Sequence, residues 1–110
     1  MRDSRAILKL AELEGKGIIP GAKARFVHSQ NMTLAYWEFE AEVSLPDHSH
    51  PHEQITHILE GVFELTIEGQ THRLEAGMVA VIPPNARHSG KSITQCRLAD
   101  VFYPVREDFR

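Results

Sequence analysis

Residues 62–77 read VFELTIEGQTHRLEAG. Phe63, Leu65 and Ile67 alternate with Glu64, Thr66 and Glu68, a period of two that puts apolar side chains on one face of an extended chain and polar ones on the other. A glycine-containing turn follows, so the stretch predicts a β-hairpin. The flanking sequence has the same character. MTLAYWEFEAEVSL (32–45) is rich in aromatic and β-branched residues with partial alternation. MVAVIPPNARH (78–88) opens as a short apolar strand that Pro83 and Pro84 stop, because proline cannot donate to a sheet ladder. QCRLADVFYP (95–104) reads as another strand, ended by Pro104. Only residues 4–14 hint at a helix, with Ile7, Leu10, Ala11 and Glu14 at helical spacing behind a Ser4 cap. Many short strands between turn signals predict an all-β sandwich or barrel, with a small jelly roll the natural candidate.

Size and charge narrow the function classes. A chain of 110 residues fits one domain that can bury a core without staples. With 25% charged and 42% apolar residues it has the composition of a chain that folds. Its net charge is −3 and its Lys and Arg are scattered, so no basic stripe is available for nucleic acid or an anionic membrane. The longest apolar run, MVAVI (78–82), is far too short to span a bilayer, and MRDSRAILKLAELEGKG (1–17) is charged without a signal-peptide core. A cytoplasmic location is the expectation. Cys96 is the lone cysteine and is read as a small buried apolar residue without a catalytic role.

DHSHPHEQ (47–54) holds three of the seven histidines. On a strand, side chains two apart share a face, so His48 and His50 can present imidazoles together, and Gln54 shares their parity whereas Glu53 does not. Imidazole suits zinc, iron, nickel, copper and manganese, and a carboxamide oxygen is an acceptable further donor. A ligand from a distant strand would lock such a site, and His88, stiffened in its approach by Pro83 and Pro84, is the candidate. The bland alternative is a histidine-rich surface loop, since an isolated His-x-His pair is a weak signal. His52, after Pro51, is read as a loop residue; His28, His57 and His72 are read as ordinary histidines.

The wider spacing carries more information. His48, His50, Gln54 and Gly61 are separated by one, three and six residues; fifteen residues later Gly77, Pro83 and His88 are separated by five and four. This pair of motifs resembles the cupin superfamily, which implies a six-stranded double-stranded β-helix (a jelly-roll barrel) with metal ligands from both motifs. The expected organisation is an N-terminal arm over residues 1–22 and a single barrel domain over 23–110. The sequence departs from the general pattern at Gln54 (usually Glu), Asn85 (usually Gly) and Ser92 (usually Asn). Asn tolerates left-handed backbone, and Ser92 is not expected to be a ligand. A neutral donor at position 54 leaves the charge of a divalent ion uncompensated and favours anion binding.

The runs HSHPHEQITHILEGVFELTIEG (48–69), IPPNARHS (82–89) and DVFYPVRED (100–108) are similar to a subgroup of small pectin-degradation cupins, the KdgF family, and the similarity extends over residues 21–108. It implies conversion of 4,5-unsaturated monouronates, left by pectin or alginate lyases, into linear keto forms. It also implies a divalent metal on His48, His50, Gln54 and His88, catalytic positions at Asp100, Phe102 and Arg106, and a homodimer. His57 stands where the subgroup often has Tyr. Arginine matches a carboxylate bidentately, and an acid beside a cation can exchange protons at a reacting centre. Residue types alone favour a plainer strand end, with Phe102 in the core and Asp100 pairing with Arg106 on the surface. Two other functions stay open: a metal-dependent dioxygenase, because the same ligand types hold iron or copper, and a non-enzymatic module that binds a metal or a sugar acid.

Overall fold

The computed structural model describes residues 6–110. In chain order its strands are β1 (Lys16–Ile19), β2 (Ala22–His28), β3 (Thr33–Phe39), β4 (Ser44–His48), β5 (Glu53–Glu60), β6 (Val62–Ile67), β7 (Gln70–Glu75), β8 (Val79–Ile82), β9 (His88–Ser92) and β10 (Cys96–Tyr103). They form a six-stranded sheet, β1-β2-β3-β10-β5-β8, and a four-stranded sheet, β4-β9-β6-β7. Every pairing is antiparallel. The predicted hairpin is β6–β7, in register from Val62↔Glu75 to Ile67↔Gln70. Glu68 and Gly69 join the two strands with φ of 47° and 80°, the pair of positive values that a type I′ turn requires.

The all-β expectation therefore stands, but six strands in a closed barrel is corrected to more strands in two facing sheets, with no ladder joining the sheets among the described residues. The reason lies in sharp bends that pass the chain from one sheet to the other. Residues 32–45 are not one strand: β3 ends at Phe39, Glu42 takes φ 64°, and β4 begins in the opposite sheet. Gly61, at φ 88°, makes the same transfer between β5 and β6. Ser92 holds the first crossing together, because its buried hydroxyl donates to the Glu40 carbonyl (2.6 Å) and accepts from the Val43 N–H (2.9 Å). That is a structural role and not a ligand's.

The helix hinted at over residues 4–14 is reduced to one 3₁₀ turn, Leu10–Glu12, and Ser4 lies outside the described residues. The turn buries no residue and Ile7 is 82% exposed, so the segment lacks the packed apolar face on which a short helix depends. Within the expected arm, β1 pairs with β2, and the expected boundary at residues 22 and 23 falls inside β2 at buried Ala22. No helix among the described residues is long and apolar enough to cross a membrane.

The core fills the space between the sheets. Thr33, Ala35, Trp37 and Phe39 point inward from β3, Ile58 from β5, Leu98 and Phe102 from β10, and Phe63 and Leu65 from β6. Phe39 meets Phe63 across the gap with ring centroids 5.4 Å apart, and large side chains buried in this way contribute about 1.5–3 kcal/mol each. Cys96 is buried among them, as expected. Gly61 is the tightest point of the framework, since a Cβ there would lie 2.2 Å from the Gln95 carbonyl oxygen on a backbone that side chains rarely adopt. Gly61→Ala is expected to cost more than about 2 kcal/mol in denaturant unfolding. Gly69→Ala meets no atom within 4 Å and is expected to cost less.

Candidate metal centre

β4 ends at His48, the chain turns through residues 49–52, and β5 starts at Glu53. His50 consequently sits in the turn, and it is the turn, rather than the pleat of a single strand, that brings its ring beside that of His48. Gln54 and Glu53 do divide by parity on β5: Gln54 is buried on the inner face and Glu53 is exposed. His88 opens β9 directly opposite His48 in the ladder. The ring centroids of His48 and His88 are 4.2 Å apart, those of His50 and His88 5.0 Å, and those of His48 and His50 5.8 Å. One nitrogen from each ring lies within 4.8 Å of the others.

Each ring is oriented by a backbone carbonyl. Nδ1 of His48 donates to Pro46 O (2.8 Å), Nδ1 of His50 to His52 O (3.1 Å) and Nδ1 of His88 to Ala86 O (2.9 Å). A carbonyl only accepts, so in the neutral rings the proton sits on Nδ1 and the lone pair on Nε2. The turn after Pro84 supports two of these rings, because Asn85, at φ 66°, donates its N–H to His50 O (2.8 Å) while Ala86 orients His88.

The donor set fits a cation. Nε2 of His88 is buried without a partner. Nε2 of His50 lies 3.0 Å from Gln54 Oε1. The carboxamide is oriented by its other end, where Nε2 donates to Thr56 Oγ1 (3.0 Å) and Asp100 Oδ1 (3.1 Å). A neutral ring has one N–H, and with that of His50 given to the His52 carbonyl two lone pairs face each other; burial first and then the Arg106 charge push this imidazole down to about 4, which keeps it neutral. Burial likewise lowers His88. Neutral imidazoles and an amide oxygen converging in this way can hold a divalent ion; three of the four predicted ligands form the histidine cluster, and Gln54 adjoins it.

Asp100 is buried on β10, paired with Thr56 of β5 and Ala35 of β3. Its Oδ1 accepts from Thr56 Oγ1 (2.6 Å) and from Gln54. Burial pushes its carboxyl up to about 6, against the downward pull of those two hydrogen bonds and of the Arg106 charge. The Trp37 indole N–H lies beside the same carboxylate without a partner in hydrogen-bond geometry. Phe102 is buried with its ring 5.7 Å from that of His50.

The surface pairing of Asp100 with Arg106 is absent. Arg106 is buried and forms a two-pronged ion pair with Asp108 (Nε to Oδ1 3.0 Å, Nη2 to Oδ2 2.7 Å). Its guanidinium lies over the rings of Phe109 (4.2 Å) and Phe102 (4.7 Å). His48, His50, Gln54, His88, Asp100 and Arg106 all line one cavity of about 280 Å³, and Trp37, Phe39, Phe63 and Leu98 give it apolar wall as well. The sequence reading passed over Thr56, Asp108 and Phe109. Thr56 was findable, because it shares the parity of Gln54 on the same strand; the packing of Phe109 on Phe26 and Phe102 leaves no local sequence signal. His52 contributes its carbonyl, His57 and His72 are exposed, and His28 Nδ1 bonds Thr33 Oγ1 (2.9 Å) outside the cluster.

Comparison with known proteins agrees with this fold. Residues 35–102 match the family model described as a cupin domain. The chain is similar to an RmlC-like cupin from Shewanella frigidimarina (27% identity, TM-score 0.93, all of both chains). It is also similar to KdgF from Halomonas sp. (24% identity, TM-score 0.91, 97% of this chain and 100% of that one). A salicylate 1,2-dioxygenase from Pseudoaminobacter salicylatoxidans matches over 80% of this chain and 26% of its own (18% identity, TM-score 0.76). Among curated proteins, none matches the chain in sequence.

Removal of a ring that donates into the cluster should empty the site. His88→Ala and His50→Ala, purified without an affinity tag, are expected to lose bound metal by elemental analysis, whereas Glu53→Ala retains it; metal retained in both histidine variants would place the ion elsewhere.

Proposed function

The chain belongs to the cupin domain family, and from that premise we propose that it is a metal-dependent enzyme that opens 4,5-unsaturated monouronates and converts them to linear keto acids. The observation that carries this reading is the Gln54–Asp100 hydrogen bond. It couples a donor of the candidate metal centre to a buried carboxyl poised near 6, in a cavity of about 280 Å³ that suits a single sugar ring. The likeness to KdgF supports the same substrate class.

The substrate is a cyclic hemiacetal whose ring oxygen is also an enol-ether oxygen. Opening breaks the ring carbon–oxygen bond as the anomeric hydroxyl gives up its proton, leaving an aldehyde and an enol; the enol carbon then gains a proton and the enol oxygen loses one, so that composition is unchanged. Asp100 is placed to move these protons, with Thr56 and Gln54 holding Oδ1. A carboxyl that titrates near the working pH exchanges protons efficiently, which contributes roughly 10²- to 10⁴-fold. Arg106, fixed by Asp108 and two aromatic rings, orients the sugar carboxylate through its remaining N–H groups. Phe102 walls the ring and limits water. A divalent ion on His48, His50, His88 and Gln54 supplies Lewis acidity toward the substrate oxygens when bound.

A second reading, oxygen chemistry on a flat apolar ring, is favoured by the aromatic side chains of Trp37, Phe39 and Phe63 in the cavity lining and by the fact that Arg106 already has a carboxylate partner. Oxygen uptake with the reduced metal and an aromatic acid distinguishes it. The uronate reading predicts that purified protein accelerates loss of the double-bond absorbance of fresh lyase product; loss no faster than in buffer sinks it, and tight binding without turnover makes the protein a binding module.

Asp100→Asn gives a separate test. The amide oxygen can still accept from Thr56 and Gln54, so metal is expected to stay bound while acceleration disappears. Because the folded pKa of about 6 lies above the unfolded value of 3.8, the carboxyl's contribution is fully present below about pH 4 and is lost as pH rises through 6. At pH 8 the ionised carboxylate is a burden of about 3 kcal/mol. The variant is therefore expected to be more stable than the parent at pH 8, with the gain shrinking as pH falls toward 4 in thermal melts.

A further inference from the structure

Two strands that end their sheets border the cavity. β1 and β4 each have a neighbour on one side only, and no ladder among the described residues bridges them. Both line the cavity, β1 through Ile18 and Ile19 and β4 through Leu45, Pro46 and His48. Among the apolar lining residues only Ile18 and Pro46 are exposed; the others are half-buried or buried. Ile18, at 39% exposed, therefore stands at the rim. Its aim comes from an irregularity in the ladder. Gly17 pairs with Lys23 and Ile19 with Ala22, which leaves Ile18 as an extra residue in a bulge. Consecutive residues of a regular strand point to opposite faces. A bulge sets two residues against one and re-aims a side chain, and here both isoleucines reach the same cavity.

We propose that Ile18 is the specificity-determining residue of the cavity entrance: it sets a width that passes one sugar-acid ring and stops a second. The volume behind the rim fits that limit. About 280 Å³ lies at the bottom of the roughly 300–1,000 Å³ of small-molecule pockets, so one ring fills it and a second ring of a longer chain has to stand in the entrance, where Ile18 is. The residue type suits the task, because a β-branched side chain is stiff at χ1 and holds its width. The rim is apolar at Ile18 and Pro46, and an entering carboxylate meets its cation only deeper in, at buried Arg106. The entrance therefore sorts by size, and the charge is read inside. Residues of the expected N-terminal arm become part of the site in this way. The identity of the ring rests on the uronate reading; the entrance itself rests on the cavity alone.

Trp37 is the only tryptophan of the chain and lines the cavity, so its fluorescence reports entry without metal or substrate. Acrylamide is expected to quench the parent weakly. Ile18→Ala is expected to raise the quenching constant about three-fold or more, because the space left by the removed side chain is refilled only in part. Ile18→Phe restores the bulk and is expected to quench no faster than the parent, whereas a loosened β1 would raise quenching in both variants. Val79→Ala, exposed on β8 and outside the cavity lining, is expected to match the parent. Competition then separates the entrance from the uronate reading. In an unsaturated diuronate the glycosidic bond prevents ring opening, so the molecule can only compete for the cavity. Its inhibition of monouronate turnover is expected to be at least about ten-fold stronger in Ile18→Ala than in the parent. Equal quenching in the parent and Ile18→Ala, quenching raised alike by Ala and Phe, or equal inhibition of parent and variant overturns the inference. The expected quenching pattern without turnover of the monouronate keeps the role of Ile18 and removes the uronate reading.

Discussion

The hydrogen bonds from Nδ1 of His48, His50 and His88 to the carbonyls of Pro46, His52 and Ala86 leave each ring with its lone pair on Nε2, and the rest of the site is arranged around that. The carbonyls belong to the backbone, so the tautomers follow from how the chain turns and need no further side chain to hold them. All three accepting residues lie in the proline-containing stretches at positions 46–52 and 83–86. His88 Nε2 is left buried and unpartnered, and His50 Nε2 is left facing an amide oxygen. Such an arrangement is costly unless a cation satisfies both.

The same strand joins this centre to the chemistry beside it. Gln54 presents its oxygen to the histidines and its nitrogen to Asp100, so one carboxamide sets the geometry of both. A glutamate at that position could not donate to Asp100, and two carboxylates would stand side by side in a buried site. The neutral residue is what allows a buried acid to sit next to the metal donors. Asp100 remains destabilising in its ionised form, as functional groups placed for reactivity commonly are. The framework that tolerates it is the aromatic core, where Trp37 stacks on Phe39 of the same strand and Phe39 meets Phe63 across the sheets.

Much of this was readable from residue order and much was not. The alternation at 63–68 located the hairpin, and the prolines at 83, 84 and 104 marked strand ends, because period and proline act locally. The spacing of His48, His50, Gln54 and His88 pointed to residues that do converge. The division of 32–45 between two sheets was hidden, since partial alternation continues through residues 40–43 while the backbone turns at Glu42. The partner of Arg106 was misread for a related reason: Asp100 is close in sequence and opposite in charge, but its side chain points into the core, and Asp108 lies on the following 3₁₀ turn, Glu107–Phe109. The hint of a helix at 4–14 failed because periodicity without a surface to pack against does not fix a short segment.

Everything at the site turns on one divalent ion held by Nε2 of three histidines and the oxygen of Gln54. X-ray absorption on the zinc-loaded chain tests it without reference to any substrate. Three imidazole nitrogens and oxygen donors are expected, all at about 2.0–2.2 Å, with the outer-shell scattering of rings bound through Nε2. A spectrum with fewer than three imidazoles, or with sulfur in the first shell, would contradict it.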